Sequence, residues 1–121
     1  MNEKAEALKQ RTKRFALDVL AFGRTLSGDE KTRDIGRQLT RSATSVGANY
    51  RAACRSRSRA EFIARLGVVL EEADESAFWL EMVAESRVSN GERVQELLDE
   101  ANQLCAIVAA SSITAGGSPK R

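Results

Sequence analysis

The chain has 121 residues with 42% hydrophobic and 30% charged side chains and a net charge of +2, a balance that allows one globular domain and excludes a chain disordered as a whole. It has no histidine, two cysteines and one proline, which removes imidazole bases, Ser-His and Cys-His nucleophile pairs, Glu-x-x-His di-iron sites and zinc sites. No apolar run approaches the roughly 18 residues that span a bilayer.

The charged start of the chain, with no apolar stretch behind it, does not read as a secretory signal, and two cysteines are too few for a disulfide framework. A bacterial cytoplasm is the expected location. No cofactor and no metal are expected.

Four helices are predicted. The first runs from about Glu3 to Leu26, where Leu8, Thr12, Phe15, Val19, Phe22 and Leu26 alternate steps of four and three, and Ser27-Gly28-Asp29 breaks it. The second spans about Glu30 to Cys54, with Ile35, Leu39, Ser42, Val46, Asn49 or Tyr50, and Ala53 inward. Ser58-Arg59-Ala60-Glu61 is a capping box that opens the third, whose stripe is Phe62, Leu66, Val69, Ala73, Ser76, Leu80 and Val83. Ser89-Asn90-Gly91-Glu92 is a second capping box, opening a helix striped by Val94, Leu97, Ala101, Leu104 and Val108. Scarce proline and short turns predict an all-α, antiparallel up-down-up-down four-helix bundle over residues 1–114, with 115–121 as a disordered tail.

Charge divides the chain in two. Residues 1–65 carry 15 Lys/Arg against 7 Asp/Glu, and residues 66–121 carry 4 against 10, so the halves stand at +8 and −6. Such polarity suits an electrostatic partner or head-to-tail self-association.

Placing residues at 100° steps sets five arginines of the second helix, Arg33, Arg37, Arg41, Arg51 and Arg55, within an arc of about 80° opposite the core. Arg57 and Arg59 continue the run through the turn. Planar, bidentate guanidinium groups in a row suit a nucleic-acid backbone. A neighbouring subunit or protein partner with carboxylates would satisfy the same row, and a merely solvated face is the third alternative. On the third helix Val68, Phe78, Trp79 and Met82 fall away from the core, as Leu17 and Leu20 do on the first. Surface patches of this kind mark interfaces, so self-association is expected through Phe78, Trp79, Met82, Val68 and Leu17.

Glu71, Glu72, Asp74 and Glu75 raise the question of carboxylate catalysis, but nothing supplies a nucleophile, pocket or oxyanion donor beside them. A structural role fits better. Ser42, Ser45 and Asn49 lie on or near the inner side of the second helix and need partners if buried, with Glu72 or Arg41 as candidates. No enzymatic activity is expected.

The stretch Gln38-Leu39-Thr40-Arg41-Ser42-Ala43-Thr44-Ser45-Val46-Gly47-Ala48-Asn49 is followed by Ser58-Arg59-Ala60-Glu61-Phe62 and by Glu72-Ala73-Asp74-Glu75-Ser76-Ala77-Phe78-Trp79-Leu80. Together they resemble the four-helix-bundle family of proteins encoded in intervening sequences of bacterial 23S ribosomal RNA genes, over about residues 15–110. The resemblance implies a barrel-shaped homopentamer without known enzymatic activity. It also touches a related branch, the basic accessory proteins of diversity-generating retroelements, which bind nucleic acid and a reverse transcriptase. Two features depart: Ala52 stands where many members carry a glutamate shortly after the asparagine, and the net charge is well short of the retroelement branch. The expected partners are therefore further copies of the chain, RNA or DNA, or a protein, and no membrane.

Overall fold

A computed structural model describes residues 2–26, 28–89 and 91–116. Four helices occur in order, α1 (Glu3–Gly23), α2 (Glu30–Ala53), α3 (Arg59–Glu85) and α4 (Glu92–Gly116), with no strand among the described residues. Each packs against its sequence neighbour, and α1 closes the ring on α4 less extensively, so the chain is an all-α four-helix bundle.

The core follows the predicted stripes. Phe15, Leu39, Leu66, Leu80 and Leu104 are its largest fully buried side chains, with Val19, Val46, Val69, Val83, Val94 and Val108 filling between them. Ile35 and Phe62 are only partly buried at its edge. The seam between α1 and α4 is tied by Arg11, whose guanidinium reaches both Glu100 oxygens at 2.7 and 2.8 Å and Gln103 at 2.8 Å.

Helix ends obey local chemistry. Asn2 caps α1 by accepting from Ala5 N–H at 2.7 Å, and Asp29 caps α2 by accepting from Thr32 N–H at 2.8 Å. Ser58 caps α3 as expected, accepting from Glu61 N–H at 3.0 Å, while the Glu61 carboxylate takes the amide of Arg57 rather than that of Ser58. The first helix stops at Gly23, three residues early, because Thr25 and Leu26 bond back to Phe22 and Gly23 in a tighter turn. Leu26 is nonetheless buried. The capping box at Ser89 includes Asn90, which lies outside the described residues. At the other end α4 continues through Gly116, two residues into the expected tail, and 117–121 lie outside the described residues.

Candidate functional site

All seven arginines singled out from the sequence, Arg33, Arg37, Arg41, Arg51, Arg55, Arg57 and Arg59, are exposed. They do not form an isolated stripe. Arg33, Arg37 and Arg41 line one end of a groove between α1 and α2, where Arg24 joins them, and Arg51 lines the other end with Lys9 and Lys13. The α1 half was missed in the sequence. Its signal was there: Lys9, Lys13, Ala16, Leu20 and Gly23 step by four and three along one edge of the helix.

Small residues bring the two helices close enough to make this groove. A Cβ at Gly47 would sit 3.3 Å from the Thr12 carbonyl oxygen, and one at Gly36 would sit 3.5 Å from the Gly23 carbonyl oxygen. Cations on facing edges are thereby held along one cleft.

Few of those charges are spent within the chain. Arg33 donates to the Gly28 carbonyl, and Arg37 makes an exposed ion pair with Asp34 at 3.3 Å, which is worth little in water. Lys9 sits 3.5 Å from Glu6. Among the described residues, the side chains of Arg41, Arg51, Arg55, Arg57 and Arg59 make no ion pair or hydrogen bond.

The apolar surface on α3 is largely as expected. Phe78 is 49% exposed, and Val68 and Met82 are exposed on the same helix, as is Leu17 on α1. Trp79 is a correction: its ring is half-buried against the core, its Nε1–H donates to Glu75 at 3.1 Å, and it meets Phe78 edge-to-face at 5.0 Å. The 100° projection groups Trp79 with the outward residues, but a large amphipathic ring one step from Leu80 reaches back and leans inward. Glu71, Asp74, Glu81 and Glu85 are exposed on the same helix as Phe78 and Met82.

The inner polar residues group differently from the expectation. Ser42 is fully buried, donates to the Leu39 carbonyl at 3.1 Å, and lies 3.1 Å from the hydroxyl of Ser76, a partner the sequence reading did not pair with it. Asn49 is half-buried and bonds within its own helix, to the Ser45 carbonyl and hydroxyl at 2.9 and 2.8 Å, not to Glu72 or Arg41. Glu72 enters only through its carbonyl, which accepts from Ser76 at 2.8 Å, while its Oε1 is buried without a partner. Arg41 points to solvent and supports none of them.

Among the described residues no cluster of His, Cys, Asp or Glu could hold a metal ion, and no helix is long and apolar enough to cross a membrane. Cys54 and Cys105 are free. Burial, and then the charge of Asp74, pushes the Cys105 thiol up, and burial followed by the neighbouring Cys54 raises the Tyr50 hydroxyl. Neither is poised as a nucleophile.

Comparison with known proteins matches residues 4–110 to the model of a family described as 23S rRNA-intervening sequence protein. Among solved structures, the chain is similar to a Bacteroides thetaiotaomicron protein of unknown function from the S23 ribosomal protein family. The two share 28% identity and a TM-score of 0.80, over 86% of this chain and 96% of that one. No curated protein matches the sequence.

Proposed function

The chain belongs to the family of 23S rRNA-intervening sequence proteins, and we propose that it acts as a non-catalytic, self-associating helical scaffold that grips the phosphate backbone of RNA or DNA. The observation that carries this reading is the convergence of α1 and α2 cations on one groove, with Arg41 and Arg51 making no ion pair among the described residues. Phosphates would displace counterions from such a row, giving affinity with little dependence on base sequence. Arg55, Arg57 and Arg59 extend the row past the groove onto the α2–α3 turn.

Fluorescence anisotropy with a labelled oligonucleotide, repeated over a salt series, tests this. Log affinity should fall linearly with log salt, and each of Arg41→Gln and Arg51→Gln should reduce the slope by roughly one unit. Absence of binding even at about 50 mM salt would overturn it.

A second reading has its own observation. The exposed, apolar Phe78 and Met82 share α3 with the exposed carboxylates Glu71, Asp74, Glu81 and Glu85, which are opposite in charge to the groove. A neighbouring copy could lay that ridge against the arginines, making the protein an interaction module alone. Under that reading, losing the arginines dissolves the assembly.

A further inference from the structure

The groove between α1 and α2 offers two chemically different floors. Near the α1–α2 turn it is an open pocket of about 480 Å³ whose floor is apolar, built by Leu20, Leu26 and the backbone of Gly23 and Gly36. Leu20 remains 37% exposed there. Arg24, Arg33, Arg37 and Arg41 line the same pocket. Toward the other end the floor is Ala16, Gly47 and Ala48, and Lys9, Lys13 and Arg51 surround it.

Phosphate accounts for the cations of both halves but not for the apolar floor of the first. A hydrated anion gains nothing from an apolar floor. A flat, aromatic heterocycle gains from both parts of the first half: it covers the exposed face of Leu20, and guanidinium planes stack on its own face. From Gly36 to Gly47 the helical rise is roughly 17 Å, so a short extended strand reaches from one half to the other.

A duplex does not fit that description. Packed helices lie about 8–10 Å apart, and the α1 backbone runs so close to Gly47 that even a Cβ there would crowd the Thr12 carbonyl, which keeps this cleft narrow. Stacked, paired bases are turned away from it, so a duplex would touch only the cationic rim.

We infer that the groove holds an unpaired segment of RNA or DNA, with one base seated on Leu20 beneath the arginines and the following phosphates laid over Lys9, Lys13 and Arg51. The inference rests on the nucleic-acid reading above and names its substrate class.

Anisotropy measured on the full chain at about 50 mM salt tests it with three probes: a labelled single strand, the same strand annealed to its complement, and an abasic strand of equal length. The single strand should bind roughly tenfold more tightly than the other two. Leu20→Asn should erase that preference while leaving duplex affinity unchanged, and circular dichroism should confirm that this exposed substitution spares the fold. Equal affinity for all three probes overturns the base seat and leaves a phosphate-binding groove. Failure of all three to bind overturns the function itself. If Leu20→Asn dissociates the assembly in light scattering and the single-strand preference survives, the pocket belongs to a second copy of the chain and the inference falls.

Discussion

A serine hydroxyl at a fully buried helix position must find a partner or destabilise the fold. Ser42 and Ser76 solve this by donating to carbonyls of their own helices and resting their oxygens 3.1 Å apart across α2 and α3. Those carbonyls already accept within the helix, so removing both serines orphans nothing essential. Ser42→Ala and Ser76→Ala should each cost about 1 kcal/mol, and the double variant little more than either alone. Urea denaturation measures this, and additive losses would mean that the pair is not coupled. Asn49 gives a contrast. Its amide is satisfied by Ser45 four residues back, so Asn49→Leu should cost less than about 1 kcal/mol. A loss above about 2 kcal/mol would reveal a partner on α3 that the geometry does not contain.

Helix ends are where pH reaches the fold. The amide of Thr32, bonded to the Asp29 carboxylate, holds that group below the usual carboxylate range. A depressed carboxylate contributes stability above its unfolded-state value and loses that contribution as pH falls through the folded one. Asp29→Ala should therefore lower the thermal midpoint at pH 7, and the gap should close below about pH 4. Ser58→Ala removes a neutral acceptor and should cost about 1 kcal/mol at both pH values; an Asp29→Ala gap that persists in acid would contradict the assignment. Much of this scale was legible in the sequence, because a Ser-x-x-Glu cap and a period of 3.6 are local signals. The arginine stripe of α2 was legible for the same reason. Its α1 partners were not, since projecting one helix shows which residues point outward but not which neighbour's edge they meet. Lys9, Lys13 and Arg24 became part of a site only when Gly23, Gly36 and Gly47 drew the helices together. Asn49 was misassigned through the same gap: its position near the core was correct, and its partner depended on rotamer choices that periodicity does not encode.

At the scale of the whole molecule, the +8 and −6 halves become a basic α1/α2 groove and an acidic, apolar α3 ridge on different faces of one bundle. Two surfaces of opposite sign on one chain favour heterologous contacts, which close into rings when the rotation permits. Yet the same arginines cannot be buried against a neighbour's carboxylates and also lie open to phosphate. Paired substitutions decide between these fates. Phe78→Glu with Met82→Glu leaves the core intact, since both side chains are exposed, and should convert the assembly to monomer at micromolar concentration in light scattering. Trp79→Glu is the wrong probe, because it would also disturb core packing. Arg37→Glu with Arg51→Glu reverses the charge at both ends of the groove. If the groove serves nucleic acid, this variant keeps its oligomeric state and loses binding, while the Phe78/Met82 variant still binds, weakened by lost avidity. If the groove serves a neighbouring copy, both variants dissociate, and adding salt to the unmutated protein loosens the assembly as well, because the attraction between the two charged faces is screened over a Debye length of about 10 Å at 0.1 M. An assembly that withstands high salt and the arginine reversal is held by the apolar α3 surface, and its basic grooves then stand open, repeated once in every subunit.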